Sequence, residues 1–259
     1  MRGHANSVPL SVCIITGNEE DNIAGCLDSL GELPDEVVVL DGQSLDRTCE
    51  IARSKGAVVH RHPFDSFGAQ KQRAVDLARN DWVFFLDADE RMTEALSREI
   101  ADLLTRPDLL AQHAAYRVCR INHFRQKPIL HGGWEKDCLI RLFDRRNTSF
   151  DGKVVHEEVI APESAGTLKG TLDHFPVHTI EGFIQKNLRY AGMKARTKRP
   201  IGPFVGIVLM VFSPPAVFFR MYVLRLGFLD GLEGFVLASL YGFFAFMKAL
   251  DRILSGREC

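Results

Sequence analysis

The sequence predicts an α/β fold: a Rossmann-like, mostly parallel sheet, an antiparallel part that completes it, and an apolar helical segment at the C-terminus. Three observations predict it. Short, near-continuous apolar runs alternate with single helices through the first ninety residues, as expected of strands covered on both faces. From 114 to 178 the helical spacing gives way to short strands and turns, and two long apolar stretches follow Pro200. The expected organisation is one domain over 1–178, then a basic helix and apolar helices over 179–259.

Each element has its own signal. LSVCIIT (10–16) is a partly β-branched apolar run, and EEDNIAGCLDSL after it puts Ile23, Leu27 and Leu30 on one helical face. EVVVLD (36–41) is a second strand. The helix after it, within GQSLDRTCEIARSKG, can be capped by Ser44 or Asp46 and ends at Gly56. AVVHRH (57–62) is a third strand, FGAQKQRAVDLARN (67–80) a helix, WVFFLD (82–87) a fourth strand, and a helix runs from about 93 to 105. AYRVCRIN, CLIRLFD, KVVHEEVI and GTLKGTLDHF read as antiparallel-leaning strands, and helical spacing resumes over 179–198.

That last helix is basic, with Lys186, Arg189, Lys194, Arg196, Lys198 and Arg199 and no acid among them. From Pro200 to Phe219 there are twenty uncharged residues, the length of a membrane span. Pro203, Pro214, Pro215 and two glycines interrupt the stretch, and the second one, GFVLASLYGFFAFM (234–247), is short for a span. The expectation is therefore helices embedded in one leaflet or re-entrant, with the basic cluster on anionic headgroups. The alternatives are an apolar helical cap or a dimer interface.

A formal net charge of -1 and 25% charged residues leave no basic excess, so no nucleic acid is expected as partner. GxGxxG and GxxxxGK[ST] are both absent, which argues against a dehydrogenase and a P-loop kinase. The six cysteines form no CxxC pair and no zinc-like spacing; Cys13 and Cys26 read as buried free thiols. MRGHANSVPLSVCIIT lacks the apolar core of a signal peptide, which makes a reducing cytoplasmic setting the default expectation.

Ligands of open α/β sheets bind at the carboxyl ends of the strands. Three strands here end in polar loops, TGNEE, DGQSLDRT and DADER. In an extended segment Asp87 and Asp89 face the same side, where a hard cation such as Mg2+ or Mn2+ would relieve their repulsion. Alternatively Asp89 only caps the next helix. Asp41 can accept a hydrogen bond from a nucleobase imide or form an Asx-turn with Gly42; Asp46 reads as a helix cap. Alternation places His156 and Glu158 on one strand face and Glu157 on the other. His156 is a candidate metal or diphosphate contact, or one of the polar residues of a half-exposed strand. His174 and His178 read as loop residues and carry no inference.

SVCIITGNEEDNIAGCLDSL, VVVLDGQSLDRT and GAQKQRAVDLARNDWVFFLDADE together resemble the family 2 glycosyltransferases of the GT-A fold, over roughly 9–178. The resemblance implies that Thr16, Asn18, Glu19 and Asp41 hold the nucleobase and ribose of a nucleotide-sugar donor, and that Lys71 and Arg73 lie near its diphosphate. It makes Asp87 and Asp89 the metal-binding D-x-D. Members often have Arg-Asn where this chain has QKQRA, so Lys71 and Arg73 depart from the pattern. In relatives a carboxylate near HGGWEKDCLIRLF deprotonates the acceptor: Asp137 fits best, Glu135 is second, and Arg141 would steady phosphates or acceptor. The other reading of Asp137 is a salt bridge with Lys136 or Arg141. A base on the face opposite the leaving group implies inversion.

GGWEKDCLIRLF, VHEEV, FIQKNLRYAGMKA and the tail RLGFLDGLEGFVLASLYGFFAFMKAL are similar to bacterial lipopolysaccharide inner-core glycosyltransferases of the heptose-glucosylating type. The similarity implies a lipid-linked saccharide acceptor and a peripheral or re-entrant place on the cytoplasmic face of the inner membrane. A polyprenyl-phosphate sugar transferase and a non-enzymatic membrane-associated module are the competing readings.

Overall fold

The computed structural model describes residues 7–135, 137–150, 159–161, 165–177, 179–185, 187–188 and 202–254. The chain forms two compact units. One comprises the residues up to Arg120 plus Asp137–His174; the other comprises Ile121–Lys136 and the residues from Phe175 onward. The segment 121–136, inside the first domain of the sequence reading, therefore groups with the C-terminal helices.

In the first unit β1 (Leu10–Thr16), α1 (Glu20–Asp28), β2 (Glu36–Asp41), α2 (Thr48–Ser54), β3 (Val58–Arg61), α3 (Phe67–Asp76) and β4 (Trp82–Asp87) follow one another as expected. The four strands are parallel in the order β3-β2-β1-β4. Alternation assigns them to two cores. Val12, Ile14, Phe84 and Leu86 belong to one buried cluster with Ile23, Leu27, Leu96 and Ile100. Cys13, Val38, Val83 and Phe85 belong to the other with Ala74 and Val75. Both faces being covered, the strands read as unbroken apolar runs. Register aligns their ends, Thr16 opposite Asp41 and Ile15 opposite Asp87, so three loops leave one edge.

The second half of the sheet differs from expectation at its start. Residues 90–92 do not lead straight into a helix: they form β5 (Glu90–Met92), antiparallel to β11 (Gly166–His174), with His174 opposite Glu90. α4 (Glu94–Leu104) begins after it, capped by the Thr93 hydroxyl on the Leu96 amide at 3.3 Å, so the cap is Thr93 and not Asp89. A short α5 (Pro107–Leu110), β6 (Ala115–Phe124), β7 (Lys127–Pro128), β8 (Asp137–Asp144), β9 (Ser149–Phe150) and β10 (Val159–Ile160) precede β11. β8 pairs antiparallel with β4 and with β6, as the antiparallel expectation required. Cys13 and Cys26 are buried free thiols. Cys119 and Cys138, directly opposite on β6 and β8, form a disulfide that the reducing-compartment expectation did not foresee.

In the second unit a helical stretch, α6, covers 180–185, and α7 (Pro203–Phe219) and α8 (Leu232–Leu254) are joined by a π turn and a 3₁₀ turn. Of the prolines expected to interrupt the first apolar stretch, Pro214 and Pro215 sit inside α7 and Pro203 opens it. A Cβ added at Gly242 of α8 would lie 3.1 Å from the Pro214 carbonyl, so the partner helix backs the chain where two ladder donors are lost. The second stretch is longer than its apolar core suggested, a 23-residue helix. The basic residues Lys186 to Arg199 lie outside the described residues.

β11 also shows how closely the layers meet. A Cβ at Gly170 would stand 2.4 Å from Leu96 Cα and 2.7 Å from its amide nitrogen. The Glu99 carboxylate takes the Gly170 amide at 2.7 Å. Backbone cannot retreat as a side chain does, so Gly170→Ala is expected to cost about 1–3 kcal/mol, the range for overpacked cores. A thermal melt of the variant against wild type checks it.

Candidate active site

The aligned strand ends carry the sequence-predicted residues. At the end of β2 Asp41 is fully buried, and both its oxygens are engaged. Thr16 Oγ1 at 3.2 Å and the Ser44 hydroxyl donate to Oδ1. The Ser44 amide at 3.0 Å and Arg61 Nε at 3.1 Å donate to Oδ2. All four of these donors come from the chain itself, and two of them are from Ser44, three residues on, so Asp41 ties together the loop after β2. Burial works against its charge, but the bonds from Ser44, Cys49 and Arg61 more than offset that and hold its carboxyl below the usual range.

The same loop meets the one after β1. Asn18, with φ 57°, donates its amide to Ser44 Oγ at 2.8 Å and accepts the Leu45 amide on its side chain at 2.9 Å. The Glu19 amide donates to Thr48 Oγ1 at 2.8 Å, and Asn22 donates to the Glu19 carboxylate at 2.7 Å. Asp46 accepts the amide of Thr48, the first residue of α2, at 3.0 Å, although the N-cap position itself is Arg47, whose side chain makes no cap bond. Thr16, Asn18, Glu19 and Asp41 are thus gathered at adjoining loops. Arg73 is not with them: Asp65 holds it at 2.7 Å and Gln70 at 3.3 Å on the exposed side of α3.

At the end of β4 the charges alternate. Arg141 Nη2 donates to Asp87 Oδ2 at 2.7 Å and to Glu90 Oε1 at 2.5 Å. Arg120 Nη1 donates to Glu90 Oε1 at 3.1 Å, while its Nε and Nη2 grip Asp137 at 2.8 and 2.9 Å. Lys71 Nζ lies 3.4 Å from Asp87 Oδ1 and 5.1 Å from the Phe85 ring centre, over which Arg141 also lies at 5.8 Å. Glu90 is fully buried and also accepts the Asp87 amide at 3.0 Å. Burial opposes ionisation of Asp87, yet Arg141 and Lys71 hold it well below the carboxylate range. The Nε of Arg141 is buried and has no partner among the described residues.

Two expectations change here. Residues 88–89 form a turn, so Asp87 and Asp89 do not share one extended face; Asp89 Oδ2 meets His174 Nε2 at 3.3 Å while Asp87 faces the cations. Asp137 pairs with Arg120, and Arg141 pairs with Asp87 and Glu90 instead; Lys136 lies outside the described residues. Glu135 accepts the Gly133 amide at 3.1 Å within its own turn. His156 lies outside the described residues. Sequence reasoning missed Arg120, Glu90 and His174. His174, read as a loop residue, is the last residue of β11, and neither its pairing with Glu90 nor the register that sets Arg120 opposite Asp137 shows in the local sequence.

Among the described residues no group of three or more His, Cys, Asp and Glu is gathered as a ready ligand set. Asp89 and His174 meet at 3.3 Å, while Asp87, two residues earlier, is held by Lys71 and Arg141; a hard divalent cation bound by all three would have to draw Asp87 from those partners. The donor set, carboxylate oxygens with one imidazole nitrogen, suits Mg2+ or Mn2+.

Residues 11–159 match the model of a family described as "Glycosyl transferase family 2". The chain is 30% identical over 255 residues to "Lipopolysaccharide core biosynthesis glycosyltransferase LpsC" of Rhizobium meliloti, covering 93% of this chain and 91% of that one. An uncharacterized glycosyltransferase of Rickettsia prowazekii is 28% identical over 250 residues, covering 92% of this chain and 85% of its own. Among solved structures, glucosyl-3-phosphoglycerate synthase from Mycobacterium tuberculosis, in complex with Mn2+, uridine-diphosphate and glucosyl-3-phosphoglycerate, has 26% identity and a TM-score of 0.34. That match covers 45% of this chain and 44% of the synthase, less than half of either.

Because the folded-state pKa of Asp41 is depressed, its charge stabilises the fold fully above the unfolded carboxylate value of about 4. That contribution is lost as pH falls through the lower folded value. Asp41→Asn is therefore expected to be less stable than wild type at neutral pH, with the gap narrowing towards pH 2. Urea midpoints measured across that range test it, and a pH-independent gap contradicts it.

Proposed function

The chain belongs to glycosyl transferase family 2, and on that premise we propose that it moves a sugar, with inversion, from a nucleotide-sugar donor to a lipid-anchored saccharide. The relative named for lipopolysaccharide core biosynthesis supports a lipopolysaccharide core or related surface glycan as that acceptor. The observation that carries the reading is the charge network at the strand ends, which joins Asp87 to Asp137 through two arginines.

The loops of Thr16, Asn18, Glu19 and Asp41 receive the nucleoside. Asp41 acts by shaping its loop, since its own oxygens are occupied. Lys71 and Arg141 present positive charge to the diphosphate. Asp87 and Asp89, with His174, would hold the metal ion. When bound, that ion offsets the charge growing on the departing diphosphate. Asp137 takes the proton of the acceptor hydroxyl on the opposite face of the sugar, which inverts the anomeric centre. Arg120 occupies one lone pair on each Asp137 oxygen and leaves the others for that hydroxyl.

The lipid-linked acceptor fits the second unit. Helices Phe204–Leu224 (21 residues, mean hydropathy 1.8) and Leu232–Leu254 (23 residues, mean hydropathy 1.3) are long and apolar enough to cross a membrane. Their surroundings favour lying along one leaflet. Leu237, Leu240, Tyr241 and Phe244 of α8 pack with Phe124, Trp134, Val177 and Phe183, so lipid cannot sheathe that helix. α7 turns Phe204, Val211 and Phe212 outward, and the basic segment before it suits anionic headgroups at the cytoplasmic face.

A thermal-shift screen of nucleotide sugars with Mn2+ or Mg2+, followed by transfer from a radiolabelled donor, tests the reaction. Asp89→Ala is expected to lower transfer at least about 100-fold, the order seen when charge-stabilising groups are removed, and chelators are expected to abolish it. Full activity in that variant refutes the metal role. Label found on a lipid phosphate rather than on a saccharide establishes the polyprenyl-phosphate reading instead. In flotation with phosphatidylglycerol vesicles, Phe212→Asp is expected to stay with the aqueous phase while wild type floats; if wild type stays down, α7 covers a protein surface.

A further inference from the structure

Glu90 touches neither loop that would receive a donor, and the proposed chemistry does not use it. It is nonetheless fully buried, and each of its oxygens is spoken for: Oε1 by Arg141 and Arg120, Oε2 by the Asp87 amide. The order of charges through the site is carboxylate, guanidinium, carboxylate, guanidinium, carboxylate: Asp87, Arg141, Glu90, Arg120, Asp137. Glu90 is the middle member and the only one that both arginines share. Glu90 divides itself between two guanidinium groups, and each of these also holds a carboxylate at a different end of the site.

We propose that Glu90 is the positioning residue of the transfer, balancing Arg141 against Asp87 at the donor end and Arg120 against Asp137 at the acceptor end. The proposal rests on the glycosyl-transfer reading above. Its physical content is a competition. Without the Glu90 charge, Arg120 has Asp137 as its sole anionic partner. It binds that carboxylate harder, and Asp137 becomes a poorer acceptor of the hydroxyl proton. Arg141, likewise released, has more of its charge left for an anionic diphosphate. Loss of the glutamate charge therefore acts in opposite directions at the two ends: donor binding is kept or tightened while turnover falls. General loosening of the site would weaken both.

The test is Glu90→Gln in the full chain, with UDP-glucose and Mn2+ as the binding probe and labelled sugar transfer as the rate assay. The expected result is a kcat about 100-fold lower, the scale of a misplaced catalytic group, with a UDP-glucose Kd unchanged or lower. Glu90→Asp, which keeps the charge on a shorter arm, should recover at least tenfold of that loss. Unchanged kcat, or kcat and affinity falling together, overturns the proposal.

A second readout needs no turnover. The Nε–Hε cross-peak of Arg120, assigned through Arg120→Lys, should shift in Glu90→Gln because that donor holds Asp137. An unmoved peak overturns the positioning claim even if activity falls. If wild type binds and transfers none of the nucleotide sugars screened, the glycosyl-transfer reading fails by itself, and the Arg120 signal still decides whether Glu90 sets that arginine. If Glu90→Gln does not fold, Glu90→Asp carries both readouts, with the same directions and smaller amplitudes.

Discussion

A carboxylate that no water reaches must find its counter-charges inside the chain, and Glu90 imposes that condition on the whole edge of the sheet. It is met by guanidinium groups from two antiparallel strands, Arg120 on β6 and Arg141 on β8. Those strands must therefore run past the end of β4 in one register, and the same register sets Asp137 opposite Arg120. The short β5 is part of the same solution: pairing with β11 directs Glu90 inward and places His174 beside it in the ladder. The charges that would do chemistry and those that fix the architecture belong to one set.

Much of this was legible in the sequence where the signal is local. The parallel strands show as apolar runs because both of their faces are buried, and the strand-end loops follow from the polarity change at Thr16, Asp41 and Asp87. What was not legible depends on partners far apart in the chain. Arg120 lies 30 residues from Glu90, Arg141 lies 51 from it, and His174 lies 85 from Asp89. The spacing of two aspartates says nothing of an arginine two strands away. It invited the picture of two carboxylates on one extended face, where the chain turns at 88–89. Asp41 is ambiguous for another reason: a buried carboxylate at a strand end suits a ligand acceptor and a loop organiser alike, and its four protein donors come from residues that the sequence does not mark as its partners.

The apolar tail shows a related limit of local reading. Proline inside a helix counts against continuity when the helix is considered alone. Here α7 has a neighbour that comes close at a glycine, and the helix continues through Pro214 and Pro215. Composition alone could not distinguish the two apolar helices either. One is faced by an aromatic cluster and the other is mostly uncovered, and that asymmetry is a property of packing.

The bond between Cys119 and Cys138 has a practical meaning for anyone handling the protein. Its two residues are neighbours of Arg120 and Asp137 on the same pair of strands, and Cys138 is on the surface, where a small thiol can reach it. Material purified with a reductant and material purified without one are therefore two covalent species, differing beside the carboxylate on which turnover would depend. The buffer's thiol content is thus a variable of the same rank as its pH, and rates from preparations that differ in it describe different molecules.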